Sequence, residues 1–201
     1  MAPPTTDVAF TPSVKALQQR LGSRAAYARL EARGGWQSTI TPELAAFIAA
    51  RDSFYLATAS AGGQPYIQHR GGPKGFLHVL DERTLAFADY AGNRQYITTG
   101  NLAENPRAFI FLMDYGTRTR IKLWGTARAV ENDPSLLARL APVGGKPRVE
   151  RVIVFEIAAW DANCHQHIPV KHDEEEVAAL RARIDELERE NAGLRRARDA
   201  R

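Results

Sequence analysis

The 201-residue sequence predicts a mainly β fold with peripheral helices, of the α+β class, followed by a C-terminal coiled-coil helix. Seven short apolar runs between turn residues have the length and β-branched character of strands. Helix-start signals lie before and between groups of these runs, so the layout is not the regular strand–helix alternation of a parallel sheet. Residues 173–201 carry a heptad pattern instead. We therefore expect a barrel or strongly curved sheet with a separate helical tail.

The N-terminal segment, residues 1–40, is predicted to be a helical extension. Residues 1–11 are rich in Pro and Thr and are expected to be loose. From Ser13 to Ala32 the apolar spacing is helical but is interrupted at Gly22–Ser23, which predicts two short helices. Trp36 is expected to be a packing anchor.

Residues 41–172 are predicted to form the β domain. Thr41-Pro42-Glu43 has the hydroxyl cap, the proline and the acid of a helix start. Two more short helices are expected, one over residues 94–103 and one starting at Asp133–Pro134, with a Pro/Gly-rich loop at 141–148. The predicted strands are 54–59, 65–70, 76–80, 84–88, 107–113, 118–130 and 152–158.

The amino-acid composition excludes several classes of protein. Hydrophobic residues make up 44% and charged residues 25%, as in ordinary globular proteins. No run of 18 apolar residues and no signal-peptide pattern is present, so we expect neither a membrane span nor export. Cys164 is the single cysteine, which fits a reducing, cytoplasmic location. The net charge of +4 is not gathered into a basic stripe, which disfavours nucleic acid as a partner.

The stretch from Pro65 to Pro106 concentrates the candidate binding residues. Two predicted strands end in polar side chains, and a helix is predicted to begin directly after Gly92-Asn93-Arg94. A helix start offers unpaired N–H groups and a positive dipole end to an anion. Arg94 and Arg70 would add guanidinium donors. The stretch therefore predicts a phosphate cradle, and the alternative is a surface hairpin with solvated arginines.

The run from Phe54 to Val130 resembles the FMN-binding split-barrel proteins of the pyridoxamine 5′-phosphate oxidase family. Five pieces match in the family's order: FYLATAS, QHRGGPKGFLHVLD, TLAFADYAGNRQ, NLAENPRAFIFLMDY and RIKLWGTARAV. The resemblance implies an FMN-binding split β-barrel and a homodimer with the flavin near the subunit interface. It also implies an FMN-dependent oxidoreductase that acts on a small-molecule redox substrate, with NAD(P)H as a candidate electron donor.

The resemblance also assigns site residues. The element Gly92–Gln95 matches the segment that holds the FMN phosphate, and the strand at Gln68-His69-Arg70 matches the one that lies along the isoalloxazine ring. The C-terminal segment of family members often covers the flavin, which places Gln166 and His167 on the substrate side. The implied cofactor-binding residues are Gln68, His69, Arg70, Asp89, Tyr90, Asn93, Arg94, Gln95, Arg120 and Gln166.

Several of these candidates also fit plain structural roles. Tyr90 would stack on the ribityl chain or the ring edge, or would be a buried tyrosine with a satisfied hydroxyl. Arg120 matches a polar position near the flavin pyrimidine, where a cation stabilises reduced flavin. Arg120 and Lys122 equally fit a solvated strand face, with Trp124 expected on the opposite face in the core.

His69 and His167 are the candidate catalytic residues, because imidazole titrates near neutral pH and can move a proton. Cys164 lies beside two histidines, but the spacing lacks the separated ligand pairs of structural zinc sites. No metal site is therefore predicted, and Cys164 is expected to be a packing residue.

Vitamin B6 oxidation is not expected. Pyridoxamine-phosphate oxidases carry an R-L-H-D-R-like motif that grips the pyridoxal substrate, and nothing in residues 160–172 matches it. The alternative to an oxidoreductase is a non-catalytic flavin-binding module with a dimerising zipper. The motifs of Rossmann, P-loop, α/β-hydrolase and zincin enzymes are absent as well.

The tail, residues 173–201, keeps heptad spacing. Its a and d positions are Val177, Leu180, Ile184, Leu187, Asn191 and Leu194. Its g and following e positions form three oppositely charged pairs: Glu176 and Arg181, Arg183 and Glu188, Glu190 and Arg195. This pattern favours a parallel, in-register pair of identical helices. A solvated single helix, or a zipper that recruits another partner, remains an alternative.

Overall fold

The computed structural model describes residues 4–140, 148–163 and 165–199, which form two compact units. The first unit comprises Met1–Met113 and Arg120–Cys164, and the second comprises Asp114–Thr119 and His165–Arg201. The domain boundaries expected from the sequence, at residues 40 and 172, stay a prediction. Residues 141–147 of the expected loop at 141–148 lie outside the described residues, and so does Cys164 with its expected packing role.

Seven strands and five of the helices carry the fold of the first unit. The helices are α1 (Pro12–Arg20), α2 (Arg24–Glu31), α3 (Pro42–Ala49), α4 (Ile97–Glu104) and α5 (Pro134–Leu140). The strands are β1 (Ser53–Ala59), β2 (Pro65–Gly71), β3 (His78–Val79), β4 (Thr84–Tyr90), β5 (Arg107–Asp114), β6 (Thr119–Val130) and β7 (Val149–Asn163). Asp114, the last residue of β5, and Thr119, the first residue of β6, are counted with the second unit.

All seven strands belong to one antiparallel sheet in the order β2-β1-β5-β6-β7-β4-β3. β2 and β3 follow each other along the chain but lie at opposite edges, so the short connection between them requires the sheet to curl. This is the split-barrel architecture, and the predicted mainly β fold with peripheral helices is confirmed.

The interior of the curled sheet is apolar because alternate side chains of each strand point inward. In β1, Phe54 and Leu56 are buried while Tyr55 is exposed. The rings of Phe54, Phe87 and Phe155 are among the largest fully buried side chains of the core. This rigid interior fixes the directions of the polar side chains at the strand ends.

The N-terminal helices are tied to the sheet by aromatic contacts. Trp36 stacks on Trp124 of β6 with ring centroids 4.6 Å apart, and Phe10 meets Trp36 edge-on at 5.0 Å. Lys122 Nζ lies 5.1 Å from the Trp124 ring. The prediction that Trp124 lies on the face opposite Lys122 is wrong, since residues two apart on a strand share a face.

Where a capping side chain is present, the helix begins close to the predicted position. The Thr41 side chain accepts a hydrogen bond from the Leu44 amide at 3.2 Å, and Pro42 occupies the first turn of α3. The two helices predicted on either side of Gly22–Ser23 are present as α1 and α2. A short 3-10 helix, Thr5–Val8, also forms in the segment expected to be loose.

Three predicted boundaries are wrong. α4 begins at Ile97 rather than at Arg94, because Arg94 and Tyr96 have positive φ angles of 62° and 54° and cannot lie in a right-handed helix. β3 is limited to His78–Val79. β7 extends over Val149–Asn163, well past the predicted 152–158 at both ends, because its ends pair with β4 and β6.

The second unit contains one long helix, α6 (Glu174–Asp199), which has no buried residue. Ile168, in the segment before it, is buried. Within the described ranges, none of the helices combines the length and apolar character needed to cross a bilayer.

Candidate functional site

A cavity of about 250 Å³ opens beside the inner face of β2, the end of β4 and the start of α4. Most of its wall is polar, which suits a ligand with hydroxyl and anionic groups. Its lining residues are Tyr66, Gln68, Arg70, Asp89, Tyr90, Gly92, Asn93, Arg94, Gln95, Tyr96, Ile97, Thr98, Thr99 and Glu150.

The alternation of β2 selects which of its side chains reach the cavity. Tyr66, Gln68 and Arg70 line it, whereas Ile67 and His69 are exposed on the other face of the strand. The His69 ring instead lies edge-on to Tyr55, with centroids 5.7 Å apart. In this chain, therefore, His69 does not line the cavity that contains Gln68 and Arg70.

Arg70 is held beneath the cavity by a buried carboxylate. Its Nη1 donates to Asp89 Oδ1 at 2.5 Å, and its guanidinium carbon lies 5.7 Å from the centroid of the Phe87 ring. The Nε of Arg70 is buried without a hydrogen-bond partner among the described residues. The guanidinium is thus preorganised, and Asp89 satisfies only part of its donor capacity.

Arg151 is buried, and it extends the charge network of the partly buried Arg70. It stands directly opposite Asp89 in the β4–β7 ladder, with its Nε 3.9 Å from Asp89 Oδ2. Its Nη1 donates to Thr99 Oγ1 at 2.9 Å, and its Nη2 lies 3.1 Å from Glu150 Oε2. One buried carboxylate is therefore shared by two arginines, and Arg151 is also close to Glu131, whose Oε1 lies 3.5 Å from its Nε.

Sequence reasoning missed Arg151. The signal was a single arginine within the apolar run VERVIVFEI, where a charge must find a buried partner. It also missed several residues of the cavity wall, since isolated tyrosine, threonine and glutamate residues carry no distinctive sequence signal: Tyr66, Tyr96, Thr98, Thr99 and Glu150.

The start of α4 faces the cavity without a cap. Tyr96, the residue before the helix, makes no side-chain capping bond, and the first turn contains no acidic residue. The first amides of a helix have no partner inside it. Thr98 Oγ1 donates to Gln68 Oε1 at 2.9 Å, and Asn101 Nδ2 donates to Thr58 Oγ1 at 3.0 Å, so side-chain bonds hold α4 against β1 and β2. The helix start can therefore donate to an anion in the cavity.

The loop between β4 and α4 is shaped by its own side chains. Asn93 Oδ1 accepts from the Gln95 amide at 3.2 Å, and Arg94 Nε donates to the Tyr96 hydroxyl at 3.1 Å. That hydrogen bond raises the pKa of the Arg94 guanidinium, which therefore stays protonated. Arg94 is fully exposed, so a bound ligand can reach it directly.

The structure brings seven of the predicted cofactor-binding residues together around the cavity: Gln68, Arg70, Asp89, Tyr90, Asn93, Arg94 and Gln95. Arg120 does not line it and instead lies at the start of β6, opposite Asn163. Gln166 and His167 belong to the second unit, where both are exposed. The functional roles of all these residues stay predictions.

Replacing Arg151 with methionine is expected to lower the free energy of unfolding by about 2 kcal/mol. The substitution removes the buried guanidinium and with it the hydrogen bonds to Thr99 and Glu150. Asp89 keeps Arg70, which limits the loss. Urea unfolding followed by far-UV circular dichroism measures the change. The control is Arg128→Met, an exposed arginine on β6, which should change stability by less than about 0.5 kcal/mol. Equal effects for the two variants would contradict the buried network.

Comparison with known proteins identifies the family. The sequence profile of pyridoxamine 5′-phosphate oxidase matches residues 40–164, which is more than half of the chain. The chain belongs to the pyridoxamine 5′-phosphate oxidase family. The matched range begins just before α3 and ends just after β7, so it covers the whole sheet and the cavity. The resemblance predicted from the sequence is confirmed.

Solved structures similar to this member of the pyridoxamine 5′-phosphate oxidase family have low sequence identity to it. HupZ from Group A Streptococcus is 18% identical, with a TM-score of 0.50 over 66% of this chain and 99% of that one. An FMN-binding protein from Syntrophomonas wolfei is 14% identical, with a TM-score of 0.49 over 76% and 95%. The haem storage protein HutZ from Vibrio cholerae is 18% identical, with a TM-score of 0.40 over 60% and 89%. A search of the curated proteins finds no match.

Proposed function

We propose that this chain binds FMN in the cavity and acts as an FMN-dependent oxidoreductase. The observation that carries the proposal is the convergence of Arg70, Arg94 and the uncapped start of α4 on one hollow. Guanidinium groups and helix-start amides are the donors that proteins use for phosphate. The family membership of the chain supports the flavin, while the substrate stays open.

The residues present fit the phosphate end of FMN. Arg70 has a buried Nε without a hydrogen-bond partner among the described residues, and Asp89 engages only its Nη1. An anion in the cavity would complete the donor set of a guanidinium that is already in place. Arg94 would close on the anion from the exposed loop, and Gln68 and Tyr66 would contact the chain between phosphate and ring.

The size of the cavity supports a homodimer. Its volume of about 250 Å³ is below the roughly 300–1,000 Å³ of common ligand pockets, so one chain has room for only part of a flavin. The outer face of β1, β2 and β5 is apolar, with Tyr55 40% and Ile67 65% exposed and Phe109 and Phe111 partly covered. We propose that a second copy covers this face and completes the wall for the isoalloxazine ring.

When bound, FMN supplies hydride and electron transfer, and the chain supplies binding and orientation. Arg70 and Arg94 would fix the anionic end, and the apolar sheet face of a partner would exclude water from the ring. His69 lies on that outer face and would reach a substrate only inside the dimer interface. Arg120, Gln166 and His167 remain candidates for contacts with the ring or the substrate. NAD(P)H is a candidate electron donor, and the single cysteine supports a cytoplasmic location.

One observation favours the second candidate function, a non-catalytic flavin-binding module. Neither predicted catalytic histidine lines the cavity, whose titratable side chains are carboxylates, tyrosines and arginines. A carrier needs no proton donor beside the ring. The two functions therefore share the phosphate site and differ only in turnover.

Flavin binding is tested by titrating the purified protein with FMN and following the flavin fluorescence. The expected result is saturable quenching with FMN and much weaker quenching with riboflavin, which lacks the phosphate. Unchanged fluorescence with both would overturn the proposal. Oxidation of NADH or NADPH by the loaded protein separates the two candidates, because an enzyme turns over and a carrier does not. Pyridoxamine phosphate should not be consumed.

A further inference from the structure

The long helix α6 presents an apolar stripe that nothing covers in the described part of the chain. The helix spans Glu174–Asp199, and none of its residues is buried. The exposed fractions of four stripe side chains are 56% for Leu180, 54% for Ile184, 45% for Leu187 and 72% for Leu194. Isolated helices are marginally stable in water, and most helices in proteins gain their stability from packing an apolar face. We therefore expect another apolar surface to pack against this stripe.

We infer that α6 packs against α6 of a second copy as a parallel, in-register, two-stranded coiled coil. The stripe has the alternating three- and four-residue spacing of a and d positions, with Ile184 at a and Leu180 and Leu187 at d. A β-branched residue at a with leucine at d favours two strands. This inference does not depend on the flavin site.

Charge complementarity identifies the partner as a second copy. In a parallel pair each g residue faces the following e residue of the other helix, and all three such pairs are opposite in sign: Glu176 with Arg181, Arg183 with Glu188, and Glu190 with Arg195. Glu176 now contacts His172, which lies just before the helix, and Arg183 pairs with Glu186 inside it. The cross-helix pairs would replace these exposed contacts, so they select the partner and its register, while the apolar stripe supplies most of the stability.

Asn191 decides the direction of the two helices. At an a position of a parallel, in-register pair it faces the same amide of the other copy, and the two amides can hydrogen-bond to each other. An antiparallel pair that aligned Val177 with Leu194 would place Asn191 opposite Leu180. That arrangement would bury an amide without a partner, which is costly. The parallel pair avoids this cost.

The direction and register are tested by cysteine cross-linking of the full chain, with Cys164 replaced by Ser. Leu194→Cys places two thiols at one d layer of a parallel pair, where mild oxidation should join them as a dimer on a non-reducing gel. Ala182→Cys, at an outward f position, is the matched control and should cross-link at least about tenfold more slowly. A Leu194→Cys variant that stays monomeric on the gel, or cross-links no faster than the control, would overturn the inference.

A second measurement separates the tail from the flavin site. Adding Leu187→Glu to the Leu194→Cys variant should slow cross-linking by at least about tenfold, because two carboxylates would meet in the apolar seam. Ala182→Glu is the control and should leave the rate unchanged. FMN binding should be the same in both variants. Undiminished cross-linking with Leu187→Glu would contradict the coiled coil, whereas loss of FMN alone would contradict only its independence from the flavin site.

Discussion

Replacing Gly125 with alanine should lower the melting temperature by about 6–12 °C. A Cβ atom at this position would lie 2.0 Å from the backbone oxygen of Glu156 and 2.8 Å from Cζ of Phe155. The oxygen belongs to the β7 backbone at an irregularity in the β6–β7 ladder, so it cannot move without disturbing the pairing. Forced overpacking of this kind costs about 3 kcal/mol, which corresponds to roughly 2–4 °C per kcal/mol in a chain of this size.

Gly100→Ala is the matched control for this substitution. Gly100 lies inside α4, and an added Cβ would meet nothing within 4 Å. Because alanine favours a helix interior over glycine, this variant should gain about 0.5–1 kcal/mol. Thermal unfolding followed by circular dichroism measures both variants. If the two alanines shift the melting temperature in the same direction, the close approach at Gly125 is not what limits stability.

Replacing Arg70 with methionine is expected to weaken FMN binding by about 10- to 150-fold, which corresponds to the loss of one charged hydrogen-bond donor worth roughly 1.5–3 kcal/mol. The substitution also leaves the Asp89 carboxylate facing the cavity without its nearest cation, although Arg151 remains. Riboflavin, which has no phosphate, should bind the variant and the original protein almost equally. Isothermal titration of both ligands measures the difference.

Asp89→Asn, at the same site, is not expected to weaken FMN binding. The variant removes the carboxylate that engages Arg70 Nη1, so the cationic character of the cavity rises and FMN should bind no more weakly than before. Arg128→Met, on the exposed face of β6, should leave FMN binding unchanged. If Arg70→Met lowers the affinities for FMN and riboflavin equally, Arg70 supports the fold of the site rather than the phosphate.

Much of the fold could be predicted because its signals are local. Alternation of apolar and polar residues predicted β1 and β2, and the Thr-Pro-Glu signal placed α3 correctly. The length of a strand was underestimated where its ends are fixed by pairing with strands that are distant in sequence. β7 is longer than its apolar run because its ends pair with β4 and β6, a contact that no local pattern reports.

The site was predicted less completely than the fold. Arg70 and Arg94, predicted from the end of a strand and the following loop, line one cavity, while their role toward a cofactor stays a prediction. The start of α4 was misplaced, since a left-handed backbone at Arg94 and Tyr96 is set by the loop and is not favoured by either residue. Arg151 was missed because its importance comes from facing Asp89 across two strands that lie far apart in sequence.

β7 joins the two halves of the sheet, since β6 pairs with one of its edges and β4 with the other. β4, at Thr84–Tyr90, therefore has no partner on that edge until residues 149–156 leave the ribosome. Until then the nascent chain exposes an unpaired, apolar strand edge, which is the kind of surface that aggregates. Closure of the sheet is consequently a late, non-local event, and the cavity between β2, β4 and α4 cannot form in a newly made chain before it.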